Sequence, residues 1–308
     1  LRFSWKSVHW PLASSLLSFG GWSAISGIAM TVQNSADALI LNKLATPVDV
    51  TCFYLGSLPL QQINRIGSVL LYPLNPALIA MHATGEAGQL RNVFIKGGRW
   101  ALWLTLFAAL PLMVCGTEVA TLYVGSEYSC AGTVMLLVMG VLPLTQCTRL
   151  LSPLAEARAT IRRLSLYRFG MSLFNLALTL FLVGRLQMGA IGSGLGTAVA
   201  IALFSPFFWH EGLRISRAGL REWLGKTLIP GLVPSLPSLG VLLTFKAALP
   251  LNSWEAVIWC TTGSSVAYLV ALWYFALQDE DRVELRRALH AARAWRKYDS
   301  FFDVRGRR

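Results

Sequence analysis

Two sets of polar side chains in this sequence recur at spacings that would bring them together on helices. Gln61, Arg65, Ser68, Tyr72 and Asn75 fall at i, i+4, i+7, i+11 and i+14, which places all five on one stripe. Thr145, Arg149, Ser152 and Glu156 repeat the pattern at i, i+4, i+7 and i+11. A guanidinium stays charged at any ordinary pH and offers a planar fork of donors to a phosphate or carboxylate. The chemistry these stripes suit is non-covalent recognition of an anion. A third group, Ser23, Ser26, Gly27, Met30, Gln33, Asn34 and Asp37, clusters by helical spacing nearer the start, and Asn175 stands alone in a later apolar run. No Ser-His-Asp, H-E-x-x-H, phosphate-loop or kinase pattern is present, so no catalytic residues, cofactor or metal are expected. The five cysteines lack C-x-x-C or metal spacing and read as small buried apolar residues.

The elements that must carry these residues are long and apolar. Residues 51–60 and 77–81 flank the first stripe and extend it to a length that crosses a bilayer. Arg65 then lies near mid-membrane, where a charge facing lipid costs several kcal/mol or more. Its stripe is expected to face a bundle interior or a wet cavity, with Pro73 and Pro76 disturbing the helix just beyond it. Asp37 lies near the outer end of its segment, where interfacial water is one destination for it and a pathway the other. Arg149 is either a partly snorkelling anchor or a cavity base. Asn175 is read as a link between helices.

Hydrophobic residues make up 55% of the chain, charged residues only 14%, and the mean hydropathy is +0.54. A soluble domain carries about 25% charge, so the expected fold class is all-α, a polytopic membrane bundle. Eight crossings are expected, over about 12–41, 50–81, 93–122, 131–155, 164–183, 188–209, 227–249 and 255–277. The third, rich in Leu, Trp, Phe and Ala, reads as lipid-facing, and the seventh as bent at Pro230, Pro234 and Pro237. Gly192 and Gly196 have the spacing of a close helix–helix contact. Of 27 Lys and Arg residues, 22 fall on one alternate set of connections and the tails, against Lys43, Arg185 and Lys246 on the other set. That asymmetry places both termini on the cytoplasmic side and makes the net charge of +12 a matter of topology, with no nucleic-acid partner. Residues 210–226 read as a basic amphipathic segment lying on anionic membrane lipids, and 278–298 as a solvated helix whose acids precede its bases. The chain starts at Leu1, and either a fragment of a longer protein or a misassigned start is expected.

Several runs carry a family resemblance. They are G-W-S-A-I-S-G at 21–27, N-S-A-D-A-L-I-L-N-K-L at 34–44, L-P-L-Q-Q at 58–62 and P-A-L-I-A-M-H-A-T-G at 76–85, followed by L-Y-V-G-S-E-Y at 122–128, F-N-L-A-L at 174–178 and G-A-I-G-S at 189–193. In order and spacing the chain resembles the second lobe of polysaccharide and oligosaccharide-lipid flippases, O-antigen flippases included, of the multidrug/oligosaccharidyl-lipid/polysaccharide exporter superfamily. The resemblance covers most of 12–209, and the last two spans match that family's extra C-terminal helices. It implies residues 1–210 as a six-helix lobe and 211–308 as a basic linker, two further spans and a basic tail. It also implies a partner lobe, absent from this chain, facing it across a cavity that opens alternately to each side. The implied cargo is a lipid-linked pyrophosphate oligosaccharide crossing the cytoplasmic membrane during polysaccharide or lipopolysaccharide synthesis. Carried over, Arg65 and Arg149 are the basic candidates for the headgroup, in the company of Gln61, Tyr72 and Asn75, and Asp37 and Asn175 hold positions the family keeps polar. The alternatives are a multidrug and toxin extruder of the same fold, which exchanges protons or sodium for cations, and a membrane-embedded polymerase or ligase. The short acidic connection around 121–131 leaves little room for the external catalytic loop of an enzyme.

The charge asymmetry sets a topology that labelling can check. In a cysteine-free background, single cysteines at Gly125 and Arg185 should react with an impermeant maleimide from outside the cell, and one at Gly88 only after permeabilisation. Labelling of all three from one side would break the alternation.

Overall fold

The computed structural model describes residues 10–71, 74–84, 87–277 and 281–282, and every regular element among them is helical. This follows from composition, because in a hydrocarbon setting a helix satisfies its own backbone N–H and C=O groups and an open strand does not. The long elements are α1 (Trp10–Leu44), α2 (Pro47–Leu71), α4 (Ala87–Val124), α8 (Arg162–Thr179), α9 (Gly189–Ser216), α12 (Ser235–Ala248) and α13 (Trp254–Ala271). Shorter pieces lie between them: α3 (Leu74–Ala83), α5 (Cys130–Gly140), α6 (Leu142–Gln146), α7 (Leu151–Ala157), α10 (Leu220–Trp223) and α11 (Ile229–Leu232). Among the described residues, six helical stretches are long and apolar enough to cross a membrane: Gly88–Val124, Ser126–Gln146, Arg162–Arg185, Gly189–Ser216, Leu220–Ala248 and Trp254–Ala276. The chain is a multi-pass membrane protein. α1 and α2, of 35 and 25 residues, have the length but are diluted by their Ser, Gly, Gln, Asn and Arg residues.

The centre of the bundle is α4, which corrects the expectation of a lipid-facing third span. Leu102, Leu106, Ala109, Leu110 and Cys115 on α4 are buried. α2 and α5 pack on it together with the later elements α11, α12 and α13. An apolar surface serves lipid and helix neighbours equally well, so hydropathy alone does not separate the two. Glycine allows the closest approach. A Cβ at Gly132 of α5 would strike Thr117 of α4, and one at Gly98 would strike the Cys147 carbonyl.

The expected fourth span is not one helix. Pro143 at the start of α6 and Pro153 within α7 interrupt it, and the backbone between them runs through tight i+3 bonds, Arg149 N–H to Gln146 O (3.1 Å) and Leu151 N–H to Thr148 O (2.9 Å). The continuous stripe expected from Thr145 to Glu156 is therefore broken, and Arg149 sits in the turn between α6 and α7. The seventh span is irregular where its prolines fall, with a π-helical turn over Leu224–Leu228, Pro230 opening α11 and Pro234 preceding α12.

The connections at 45–46, 125–129, 186–188 and 249–253 share one end of the bundle, which is poor in bases. There Asp49 accepts hydrogen bonds from Thr46 at the start of α2 and from the Ala190 N–H (3.0 Å) at the start of α9. At the opposite, basic end, α9 runs to Ser216 and stops at Arg217 in the left-handed conformation (φ 57°). The expected amphipathic segment is divided: its first part continues α9 to Ser216, and beyond it Trp223 is fully buried, packed on Trp209 at 5.5 Å, while Leu220, Arg221 and Lys226 stay exposed and Glu222 bridges Arg91 and Lys226. The expected helix over 278–298 lies outside the described residues apart from 281–282.

Cysteine use departs from the sequence reading. Cys52 near the start of α2 and Cys130 at the start of α5 form a disulfide, Cα atoms 5.8 Å apart, at the base-poor end. Cys115, Cys147 and Cys260 are free and buried, as small apolar residues. A chain denatured without reductant should take up three alkyl groups, and five after reduction, read by intact-mass spectrometry. Cys52→Ser together with Cys130→Ser should lower stability by about 2–4 kcal/mol, seen as a lower unfolding temperature.

Candidate functional site

The α2 stripe is displayed as its spacing requires. Gln61, Arg65 and Ser68 are exposed along one side of α2. Among the described residues Arg65 has no hydrogen-bond or ion-pair partner. Tyr72 lies outside the described residues, and of Asn75, which belongs to α3, only the backbone is described.

Arg149 reaches this helix through Ser68 of the stripe and through Asn64, a residue outside it. Its Nη1 donates to Asn64 Oδ1 (3.1 Å), and its Nη2 donates to the Asn64 carbonyl (2.7 Å) and to Ser68 Oγ (2.7 Å). Gln146 Nε2 donates to the same Asn64 Oδ1 (3.1 Å). Asn64 thus joins α2 to the α6–α7 turn, and nothing in the one-stripe pattern singles it out. Every acceptor for Arg149 is neutral, and no carboxylate bonds it among the described residues. Its Nε–H and one Nη1–H remain for a further partner.

A third guanidinium, Arg168, was grouped by sequence with the loop bases. It sits on the second turn of α8 and donates to Ser26 Oγ of α1 (2.7 Å) and to Ser152 Oγ of α7. Both serines belong to polar clusters recognisable in the sequence. The available signal was that Arg168 falls inside the expected fifth span. Arg149 is thus held by α2 alone, through Asn64 and Ser68, and Arg168 by two elements, α1 and α7.

Asp37 is not at an interface with water but 3% exposed, between α1, α8 and α9. Its Oδ1 accepts from Thr179 Oγ1 (3.0 Å) and its Oδ2 from Thr197 Oγ1 (3.1 Å). Asn175 Oδ1 lies 3.5 Å from each of those hydroxyls. Asn175 Nδ2 and the Ser193 hydroxyl are buried beside them, without a hydrogen-bond partner among the described residues. Asn175 therefore belongs to a polar cage on three helices, where sequence showed a lone amide. The approach of α8 to α9 depends on Gly196, because a Cβ there would sit 2.7 Å from Thr179 Oγ1. This is the contact expected of Gly192 and Gly196. Chemically the cage is a cluster of oxygens around one carboxyl group with no base in hydrogen-bond reach among the described residues, suited to a proton or a small cation.

The candidate residues thus fall into unlike groups: guanidiniums on α2, α8 and the α6–α7 turn, and a buried carboxyl group on α1. Compared with known proteins, the chain matches no family model and no curated protein.

Asp37→Ala deprives two buried hydroxyls of a charged acceptor and should cost about 2–3 kcal/mol. Arg65→Ala, at an exposed residue with no partner among the described residues, should stay within about 0.5 kcal/mol. Thermal unfolding of the purified variants in detergent reads both. A larger loss at Arg65 than at Asp37 would reverse the assignment of structural and free roles.

Proposed function

We propose that the chain is one lobe of a transporter that moves a lipid-linked pyrophosphate oligosaccharide across the cytoplasmic membrane by alternating access, without covalent chemistry or a cofactor. The observation that carries this reading is Arg65, an exposed guanidinium on a membrane-length helix with no partner among the described residues, beside Arg149, whose bonds all go to neutral groups. Fixed positive charge in such a place is expensive unless an anion meets it. A pyrophosphate offers the bidentate acceptors that guanidiniums favour. In this reading α1 and α2 also cross the membrane, making eight spans, and turn their polar faces to a cavity completed by a second lobe. The sugar passes through that cavity while the lipid tail stays in the bilayer. The basic end faces the cytoplasm, by the rule that relates Lys and Arg to the inner side. The Cys52–Cys130 disulfide supports the same orientation, since it lies at the end that would meet an oxidising compartment.

A second reading, a cation antiporter of the same architecture, is favoured by one observation. Asp37 is a deeply buried acid in a cage of oxygens, a place for a proton or a small cation to be exchanged.

The test uses the chain in phosphatidylcholine nanodiscs with a fluorescent polyprenyl-pyrophosphate disaccharide. Arg65→Gln should weaken binding by on the order of tenfold, since a bond to a charged group is worth about 1.5–3 kcal/mol, and Arg65→Lys should fall between. Unchanged affinity in Arg65→Gln, at a normal unfolding temperature, would remove Arg65 from the site. Binding of tetraphenylphosphonium that disappears in Asp37→Asn, with no pyrophosphate binding, would favour the antiporter.

A further inference from the structure

The two halves of α2 are fastened in different ways. Toward the base-poor end the helix is tied covalently to α5 through Cys52 and Cys130, and Asp49 accepts from the Ala190 N–H at the start of α9. One turn further along, α2 lies so close to α5 that a Cβ at Gly56 would strike Val134 and the Ala131 carbonyl. Apolar packing continues as far as Ile63, buried in a cluster with Val134, Val138 and Met139 of α5. Beyond Ile63 the side chains of Ile66 and Val69 are exposed. Among the described residues, the side-chain bonds from this second half to the rest of the bundle all run to the α6–α7 stretch. Gln146 and Arg149 bond Asn64, and Arg149 also bonds Ser68. Gly67 is buried against the same guanidinium, where a Cβ would sit 3.5 Å from Arg149 Nη2.

A guanidinium grips an anion most firmly along a two-pronged edge, Nε with Nη2 or Nη1 with Nη2. Both edges use Nη2. The hydrogens of Arg149 Nη2 are already given to the Asn64 carbonyl and to Ser68 Oγ, each at 2.7 Å. The Nε–H and the second Nη1–H that remain lie on different edges. A two-pronged hold on a phosphate therefore requires Arg149 to let go of α2. The exchange is favourable in sign, because both acceptors on α2 are neutral and an oxyanion adds charge attraction to the same geometry. The surrounding charges are few. Arg65 follows Asn64 directly and is exposed, and Arg168 gives its bonds to Ser26 and Ser152. Glu156, the acid of the α6–α7 stretch, is exposed seven residues further along and makes no bond to Arg149 among the described residues.

We propose that Arg149 is a latch, which holds residues 64–71 of α2 against the α6–α7 turn and is opened when the pyrophosphate of the cargo takes Nη2 from Asn64 and Ser68. The freed half of α2 then swings about the half that the disulfide and apolar packing hold. The identity of the anion rests on the transport reading above, whereas the latch needs only the bonds to α2. A ligand that binds the released form better than the latched form shifts the population toward it. Asn64 and Ser68 are in this scheme competitors of the cargo, so weakening them acts in the opposite direction from removing a cargo contact.

Nitroxide labels on Val69→Cys of α2 and Leu136→Cys of α5, both exposed positions, report the swing by pulsed electron resonance in nanodiscs. Cys115, Cys147 and Cys260 are replaced by alanine and the disulfide is kept. Val69 lies about 20 Å of rise beyond Gly56, so a tilt of about 10° moves it by about 3 Å. The fluorescent polyprenyl-pyrophosphate disaccharide should add a population displaced by that amount, and Arg149→Gln should show the same population with no ligand present. Asn64→Asp gives the guanidinium a charged partner and should hold the unliganded distance with the probe added. Ser68→Ala frees one Nη2 hydrogen and should tighten probe binding about fivefold, the factor that one net hydrogen bond sets. An Arg149→Gln chain that keeps the parent's distance, folded by its unfolding temperature, would overturn the latch and leave the transport reading standing. Weaker probe binding in Ser68→Ala would overturn the competition and make Ser68 a cargo ligand. Probe bound by the parent chain at an unchanged distance would overturn opening by the cargo. A parent chain that binds no probe would overturn the transport reading and opening by the cargo together, and the ligand-free distance in Arg149→Gln would still decide the latch.

Discussion

A charged group inside an apolar bundle has to be answered by groups on other helices, and this requirement organises the protein. The clearest instance is Arg99 of α4, 1% exposed, paired with Asp281, fully buried beyond the end of α13. Arg99 Nη2 reaches both carboxylate oxygens at 2.5 and 2.7 Å, Nη1 donates to the Lys226 carbonyl (3.0 Å), and Trp100 Nε1–H donates to Asp281 (3.1 Å). The guanidinium also lies 5.4 Å from the Trp103 ring centre. One ionic centre thus joins the central helix, the irregular turn before α11 and the segment after α13. Removing one member of such a buried pair costs about 3–5 kcal/mol, because the other is left charged and dry. The central helix α4 and the segments that flank α11 to α13 are held together by that condition.

The remaining polar groups divide by how fully they are answered. Asp37 is closed in by hydroxyls, Arg149 is met by neutral acceptors only, and Arg65 has no protein partner among the described residues. This gradation runs from structural to available. Hydroxyls and amides suit the intermediate members, because they fix a side chain's position without cancelling its charge.

Much of the framework is legible from composition and periodicity. Low charge and long apolar runs give the helical membrane bundle, and helical spacing groups Gln61, Arg65 and Ser68 correctly. Spacing within one helix says nothing about which other helix supplies a partner. For that reason Asn64, Gln146, Thr179 and Thr197 escaped notice, although each makes a bond that fixes a candidate residue. The Thr145–Glu156 stripe failed for a different reason, as proline breaks the helix and resets its phase. Arg99 and Arg168 were assigned to loops because position near a basic connection masks the depth of a side chain's reach. The Cys52–Cys130 pair was not visible at a separation of 78 residues, since pairing depends on how α2 lies against α5.

The length of α4 has a mechanical consequence. Its 38 residues make a rod about 57 Å long, nearly twice the depth of a bilayer's apolar layer. α5 meets this rod at Thr117, and Lys246 of α12 meets it at Val114 and Glu118. Arg99, paired with Asp281 beyond α13, lies about 28 Å of rise away along the same rod. The stretch from α12 to Asp281 is therefore pinned to α4 at two well-separated points, as a splint is tied at both ends.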